Sequence, residues 1–390
     1  MSLYDLHHAV KLCYFEGERS KRNATDVIRE GLTILADADV DDDDDMTQVF
    51  SLLSDVCQQG DRESLALLVE NRIDINMKNP RNGDTVLLDY CHSKWSNADF
   101  VALLQECGAN LSAVDRYGKT VLIKAAEAEA AGVLSFLVKT APTELLSRTD
   151  ETGRAPLHYA VLQRSLEMVR TLLDTGAETD MPCDINNGQI SLREEYESMT
   201  ALMIAARQGD SQITSILLET GATVTKTDNF GNTALHFAET TGVAEVLLQN
   251  NADPNVLNDK GETPLVRLMR ENSYARQESV CKGVCSMLMA VCNVNRSDLS
   301  GKTALHFACD RMGSYDMCKA LIMAGAALNQ QDRAGKTPLI LACEWQWEKI
   351  AKYLVKKGAD PNMKDNSGQT PLLIAAQNGQ TELTELFMNL

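Results

Sequence analysis

The chain has 390 residues, of which 44% are hydrophobic and only 5% aromatic, and its formal net charge at pH 7 is −18. This excess of carboxylates repels phosphate backbones and anionic membrane surfaces, so it argues against nucleic acids and membranes as partners and favours a basic protein. No stretch approaches the roughly 18 apolar residues of a membrane span, and the N-terminal segment, with Asp5, His7 and His8, does not resemble a signal peptide.

The first 45 residues contain two predicted helices that follow no repeated pattern. Residues 2–15 form the first, capped by Ser2, and residues 25–36 the second, because apolar residues recur at helical spacing in both. Five aspartates at 41–45 come next. They are either a solvated hinge or helix start, as runs of like charge usually are, or a contact for a basic peptide. The predicted domains are 1–45, a helical cap with an acidic linker, and 46–390.

From Ser51 onward one pattern recurs with a period of about 33 residues. Each copy has a turn with Asp and Gly, then Thr-Pro-Leu-His or a variant, two small residues and a glycine. The fullest copies span residues 153–160 and 370–379. Ten copies are placed by the residue that starts their first helix: Ser51, Thr85, Thr120, Ala155, Thr200, Thr233, Thr263, Thr303, Thr337 and Thr370.

This pattern resembles the ankyrin repeat over about residues 46–390. The resemblance implies an all-α fold, an ankyrin-repeat α-solenoid of about ten helix pairs with β-hairpin fingers, to which the first two helices add an N-terminal helical cap. It also implies a protein that binds other proteins and has no catalytic role.

Three copies depart from the regular spacing. A polar segment at 183–197 follows the fourth copy and is predicted to be an extended loop. The sixth copy is three residues short after Gly242, so its outer helix is expected to lose most of a turn. The seventh has about seven extra residues within 273–282, between its two helices. We therefore expect the weakest cooperativity at residues 242–292.

No motif indicates catalysis, a cofactor or a metal. Gly-Lys-Thr occurs at Gly118, Gly301 and Gly335, but none has the earlier glycine of a phosphate-binding loop. His158, His236 and His306 occupy equivalent positions in separate copies, so a structural role is predicted for each. Cys281, Cys285 and Cys292 lack the two close pairs of a zinc site, which favours core packing. The 11 unpaired cysteines indicate the cytoplasm, with the nucleus as the alternative.

The predicted binding surface consists of the residues seven and eight positions after each helix start, which the resemblance places in a concave groove, together with the finger turns. Exposed aromatic residues with nearby charge are typical binding anchors. Glu271, Asp310 and Glu344 should form a carboxylate row, unless Arg270 and Arg311 pair with them. Trp345 and Trp347 stand at its end, and either ring could instead pack against a neighbouring loop. The predicted contacts are Tyr117, Arg207, Phe230, Glu271, Asp310, Arg311, Glu344, Trp345 and Trp347.

We interpret the chain as a monomeric, non-enzymatic adaptor or scaffold that binds a basic peptide segment or protein surface in its groove and fingers. One alternative is the substrate receptor of a ubiquitin ligase; such arrays carry a C-terminal docking box, which this sequence does not show. The other is the regulatory ankyrin domain of a larger enzyme. Neither a cofactor nor a metal is predicted.

Overall fold

The computed structural model describes residues 2–15, 23–36, 42–93, 96–183, 198–272, 280–311 and 313–389. Regular structure in these ranges is helical, apart from isolated β-bridge residues, which include the antiparallel pair Ser297 and Thr303. The predicted all-α fold is confirmed, and the predicted hairpin fingers are tight turns without a strand ladder in the described ranges. The chain divides into two compact units, Met1–Gln189 and Ile190–Leu390.

The first unit consists of five helix pairs, and a short 3₁₀ helix at Thr143–Leu146 follows the fourth pair. Their bounds are α1 (Leu3–Phe15), α2 (Ala24–Ala36), α3 (Asp43–Gln58), α4 (Arg62–Glu70), α5 (Val86–Cys91), α6 (Ala98–Glu106), α7 (Val121–Glu127), α8 (Ala131–Thr140), α9 (Pro156–Leu162) and α10 (Leu166–Asp174).

The second unit contains the remaining six pairs, and a 3₁₀ helix at Ala234–Phe237 replaces one inner helix. Their bounds are α11 (Ala201–Gln208), α12 (Ser211–Glu219), α13 (Thr241–Gln249), α14 (Pro264–Asn272), α15 (Val280–Val291), α16 (Ala304–Cys309), α17 (Tyr315–Met323), α18 (Pro338–Glu344), α19 (Glu348–Lys356), α20 (Pro371–Gln377) and α21 (Thr381–Met388). Within each unit, inner helices pack on inner helices and outer helices on outer helices.

The helix starts follow from the repeated threonine. The hydroxyl oxygens of Thr120, Thr337 and Thr370 accept hydrogen bonds from the backbone N–H groups three residues later, at 3.3, 3.3 and 3.2 Å. Each bond satisfies a donor that the first helical turn leaves unpaired. The apolar residues that follow are buried: Leu339 and Ile340, for example, are 0% exposed.

The finger turns are built around the repeated aspartate. One carboxylate oxygen of Asp332 accepts from the N–H groups of Ala334 and Lys336, both at 2.9 Å, and Gly335 supplies the positive φ of 76° that closes the turn. The N–H of Arg333 then donates to the carbonyl of Ser300 in the preceding finger at 2.8 Å. The fingers are therefore held in register by backbone hydrogen bonds between neighbouring repeats.

The N-terminal helix pair packs on the first repeat, α1 against α3 and α2 against α4. His7 lies 2.8 Å from a carboxylate oxygen of Asp55. Asp42 caps α3, since its side chain accepts from the next backbone N–H groups, and Asp43–Asp45 form the first turn. The acidic run thus begins a helix, where the helix dipole favours carboxylates. The division of the chain at residue 45 remains a prediction.

The prediction for the sixth repeat was wrong. Its outer helix α13 keeps nine residues, and the inner helix is reduced to the four-residue 3₁₀ helix. Thr240 caps α13 only seven positions after Thr233, whereas Asp210 caps α12 ten positions after Thr200. The three missing residues therefore come from the last turn of the inner helix. Of the segment 273–282 predicted to hold the extra residues of the seventh repeat, residues 280–282 belong to α15 and the rest lies outside the described ranges, as does the predicted loop beyond residue 183.

Candidate protein-interaction surface

Charged residues at the ends of the inner helices pair with the finger of their own repeat. Lys302 Nζ lies 2.8 Å from Asp310 Oδ2, and Lys336 Nζ lies 2.6 Å from Glu344 Oε1. In both pairs the lysine directly precedes the helix-starting threonine, and the acid lies eight residues later at the end of the inner helix. The side chains are about one-third exposed or less, so these are partly screened ion pairs.

The same spacing of eight residues recurs elsewhere. In the first unit, Lys119 Nζ lies 2.7 Å from Glu127 Oε2. In the seventh repeat the charges are exchanged: Glu262 holds the finger position, and Arg270 Nε lies 2.9 Å from its Oε1. Because the pair recurs with the two charges exchanged, the geometry of the repeat brings these two positions together.

The carboxylates of the predicted row take part in ion pairs of this kind. Asp310 and Glu344 are each held by a finger lysine, and Glu271 Oε1 lies 3.1 Å from the Arg267 guanidinium. The expectation that Arg270 pairs with the row holds in part, because it also lies 3.7 Å from Glu271. The three carboxylates are therefore compensated by neighbouring cations within the fold.

A cavity of about 700 Å³ lies between the fingers of the seventh and eighth repeats and the end of the ninth inner helix. Its volume is within the usual range of protein ligand pockets, about 300–1,000 Å³. The lining includes Lys260, Leu299, Asp310, Arg311 and Trp345. Leu299 is 56% exposed and Trp345 is 44% exposed. Three predicted contact residues thus meet in one preformed concave site with two large apolar side chains accessible.

The charged groups of this cavity differ in the partners that surround them. Partial burial raises the pKa of Asp310, but hydrogen bonds from Lys302, from the Arg311 backbone and from the Trp345 side chain outweigh this effect and lower the pKa below its usual value. The carboxylate therefore stays ionised beside Trp345. By contrast, the side-chain cations of Lys260 and Arg311 have no ion-pair partner among the described residues.

Trp347 has a different role from Trp345. Its indole N–H donates to the carbonyl of Asp310 at 3.1 Å, and its ring packs on Gly313, where an added Cβ would lie 2.6 Å from the ring. This arrangement is the alternative considered from the sequence, in which a large ring packs against a neighbouring loop. Any direct contact of Trp347 with a partner remains a prediction.

The other predicted contacts do not line this cavity. Tyr117, in the first unit, is 55% exposed at the tip of a finger, and its carbonyl accepts from the N–H of Glu151 at 2.9 Å. In the second unit, Arg207 is exposed with its guanidinium 3.8 Å from the Met199 sulfur. Phe230 is half-buried in its finger.

Sequence reasoning included the finger residue Lys260 but missed Leu299 and Phe307 of the cavity lining. A signal for Leu299 was present: it is the one large apolar residue at the finger position after the repeated Asp or Asn, where other copies carry Pro, Arg, Glu, Asn or Asp. The spacing of eight residues between lysine and acid could likewise have revealed the ion pairs.

A buried cluster of charges in the first unit was also missed. Lys124 Nζ lies 2.9 Å from both Asp84 Oδ1 and Asp115 Oδ2, and the three side chains are at most 8% exposed. Burial alone would lower the pKa of Lys124, but the hydrogen bonds and charges of the two carboxylates outweigh it and raise the pKa. Burial raises the pKa of Asp84. The cluster joins the fingers of two neighbouring repeats.

The three repeated histidines are structural. Nδ1 of His158, His236 and His306 accepts the N–H of the helix-starting residue, and Nε2 bonds to a backbone carbonyl further along the chain at 2.9, 3.1 and 3.2 Å. Both ring nitrogens are thereby satisfied, as predicted. Burial lowers the pKa of His158 and His236 to about 4 and also lowers that of His306, so the rings are neutral at pH 7.

Among the cysteines of the seventh and eighth repeats, Cys285, Cys309 and Cys318 are buried in the core and Cys292 is half-buried. The sulfur of Cys285 lies 4.0 Å from that of Met269, and the buried sulfurs of Cys309 and Cys318 lie 3.5 Å apart. The Cys281 side chain is outside the described part. Within that part, no group of three or more His, Cys, Asp or Glu side chains is placed to hold a metal ion.

The sequence profile described as "Ankyrin repeats (3 copies)" matches residues 53–144, 96–183, 182–258, 239–332 and 311–389. These overlapping matches cover most of the chain. The chain belongs to the ankyrin-repeat family. Ankyrin repeats are protein-interaction modules, and the repeat itself is a non-catalytic fold.

Several characterised ankyrin-repeat proteins are similar to this one over part of their length. It is 39% identical over 113 residues to a probable E3 ubiquitin-protein ligase XBOS33 of Oryza sativa subsp. japonica, covering 27% of this chain and 20% of that protein. It is 32% identical over 174 residues to the B-cell lymphoma 3 protein homolog of Mus musculus, covering 43% and 36%. Over 166 residues it is 30% identical to the nuclear factor NF-kappa-B p105 subunit of Gallus gallus, covering 41% and 16%. The matches thus span about a third or less of each relative.

None of the helices in the described ranges combines the length and apolar character needed to cross a membrane.

Proposed function

We propose that this ankyrin-repeat chain is a non-enzymatic adaptor or scaffold that holds a segment of another protein in the cavity bounded by Leu299, Arg311 and Trp345. The observation that carries the proposal is the cavity itself: it is concave and preformed, and it exposes the indole ring of Trp345 beside the ion-paired Asp310. Partly exposed aromatic rings in such pockets are the usual anchors of binding hot spots. A site that is already ordered also loses less entropy on binding.

We extend the proposal to the predicted contacts outside the cavity. Their exposed or half-exposed side chains would each add a contact to the partner. They are Tyr117, Arg207, Phe230, Glu271, Glu344 and Trp347.

The partner is proposed to be a basic protein. The net charge of −18 supports this, because it attracts cations over long distances and disfavours nucleic acid. Because the carboxylates of the row are compensated, we propose that this preference acts through long-range steering, with apolar contacts holding the bound segment. We also propose a monomer that acts in the cytoplasm or nucleus.

Affinity capture from cell extract with the wild type, Trp345→Ala and Val291→Ala tests this function. Val291 is 52% exposed on the outer helix α15, so its truncation matches the loss of an exposed apolar group away from the cavity. We expect quantitative mass spectrometry to find proteins that the wild type and Val291→Ala retain and Trp345→Ala loses. Identical protein sets from all three baits, each folded, would contradict the proposed site.

A second candidate is a ubiquitin-ligase component, and it is favoured by the matched segment of the rice protein named an E3 ubiquitin-protein ligase. In that case the captured proteins would include ubiquitin-ligase subunits, and a bound substrate would be ubiquitinated when ubiquitin, its activating and conjugating enzymes and ATP are added. A regulatory role in a larger enzyme would instead be indicated by a catalytic domain in the full gene product.

A further inference from the structure

The outer helix α19 carries an unusual concentration of positive charge. Four lysines fall within the nine positions from 349 to 357: Lys349, Lys352, Lys356 and Lys357. No other outer helix described in the repeats contains more than one lysine or arginine. In a chain with a net charge of −18, this is a local reversal of sign.

Two tyrosines connect these lysines in space. Lys349 Nζ lies 4.3 Å from the ring centroid of Tyr315, on the neighbouring helix α17. The Tyr315 ring meets that of Tyr353 edge-on at 5.3 Å, and Lys357 Nζ lies 5.6 Å from the Tyr353 centroid. Lys356, three positions after Tyr353, shares its side of the helix. We refer to these five residues as the lysine–tyrosine patch.

The helix dipole favours Lys356 in the last turn of α19, but it does not explain the lysines nearer the start of the helix. Lys349 lies in the first helical turn, where the helix dipole disfavours a cation. Lysines three and four positions apart also repel one another. Only Lys352 has carboxylate partners, Glu348 and Glu382; the other three lysines have no ion pair among the described residues. The patch therefore presents uncompensated cations on a rigid surface.

We propose that the lysine–tyrosine patch docks an acidic segment of a partner protein. Lys349 and Lys357 are about 12 Å apart along the helix, the length of roughly four extended residues. Carboxylates of such a segment would meet the lysines, and an intervening apolar side chain would lie against the half-exposed tyrosine rings. The hydroxyls of Tyr315 and Tyr353 have no hydrogen-bond partner among the described residues, so both are available to donate to a carboxylate.

This surface is independent of the proposed cavity, because its residues lie on outer helices and none lines the cavity. A protein segment fits better than nucleic acid. The patch is short, and the surrounding negative charge would repel a long polyanion but admit a few carboxylates.

The test uses the full chain and a fluorescein-labelled peptide with the core Glu-Glu-Leu-Glu-Glu, alongside a control peptide with Gln in place of Glu. Fluorescence anisotropy is measured for the wild type and for the triple variant Lys349→Glu, Lys356→Glu, Lys357→Glu. The matched control is Lys139→Glu, Arg170→Glu, Lys226→Glu, which changes the net charge equally at exposed residues away from the patch. Thermal unfolding verifies that each variant is folded.

We expect the patch variant to bind the acidic peptide about tenfold more weakly, since several exposed ion pairs of modest strength are lost together. The control variant and Trp345→Ala should bind as the wild type does, and Tyr353→Phe should weaken binding a few-fold by losing one charge-assisted hydrogen bond. Equal losses in the patch and control variants would overturn the proposal, as would wild-type binding that does not distinguish the Glu and Gln peptides. Tighter binding of a single-stranded oligonucleotide of equal charge would also overturn it, in favour of a nucleic-acid surface.

Discussion

Replacing Lys124 by methionine should sharply destabilise the first unit. Methionine keeps much of the length and volume of the side chain but removes the ammonium that faces Asp84 and Asp115. The variant therefore leaves two buried carboxylates next to each other without a cation. Each carboxylate oxygen lies 2.9 Å from Nζ, so each attraction is about 6 kcal/mol at an effective dielectric of about 20, before the cost of burying the charges is subtracted.

Removing one partner from a buried ion pair usually costs about 3–5 kcal/mol, and we expect a loss in that range at pH 7. The loss should shrink on acidification. Burial already raises the pKa of Asp84, and without Lys124 the folded pKa rises further above the unfolded value. The variant is then most stable at low pH, and it loses stability as the pH rises from the unfolded pKa to the folded pKa of Asp84. Its free energy of unfolding should therefore be closer to that of the wild type at pH 5 than at pH 7.

Urea unfolding followed by circular dichroism at pH 5 and 7 measures these differences, and hydrogen exchange over residues 84–127 locates them. Lys139→Met, an exposed lysine on α8 in the same unit, is the control and should change stability by less than about 0.5 kcal/mol. Adding Asp84→Asn and Asp115→Asn to Lys124→Met should restore part of the stability. A Lys124→Met protein as stable as the control variant would refute the argument that this cluster holds the two fingers together.

Three further predictions concern stability and association. Because His158 and His236 have folded pKa values of about 4, each should lower stability by about 3 kcal/mol as pH falls from about 6.5 to 4; unfolding free energies of His236→Gln that follow the wild-type pH slope would contradict this. Hydrogen exchange should be faster over residues 234–292 than in neighbouring repeats, since an inner helix there has only four residues; uniform protection would argue against it. Reversing Asp310 and Glu344 to lysine should slow association with a basic partner and flatten its salt dependence; association rates identical to those of the wild type at each salt concentration would count against steering.

The periodicity was sufficient to predict the helix pairs, because a threonine hydroxyl caps most of the inner helices and the following apolar residues must be buried. It was not sufficient to locate the defect of the sixth repeat. The sequence does not show which helix of a repeat is shortened when three residues are missing, because this depends on how the helices pack. The outer helix α13 and the inner 3₁₀ helix both contact helices on both sides, and the shortening fell on the inner helix before Thr240.

The candidate site was predicted in part. Spacing placed Asp310, Arg311 and Trp345 on one surface, and they line one cavity. Spacing did not show which charges are already paired. Lys336 and Glu344 are neighbours only because the inner helix brings position eight back over the finger, a geometric fact that a list of groove residues omits. For the same reason the distinction between Trp345, which is exposed, and Trp347, which packs on a loop, needed the structure.

The central claim is that the cavity around Trp345 anchors the partner. The most direct test is the dissociation constant of a captured partner for the purified wild type, Trp345→Ala and Val291→Ala, determined by biolayer interferometry. The account predicts that Trp345→Ala weakens binding roughly 30-fold or more, mainly through faster dissociation, as the loss of a hot-spot anchor does, and that Val291→Ala is unchanged. Equal dissociation constants for Trp345→Ala and the wild type, with both folded, would contradict it.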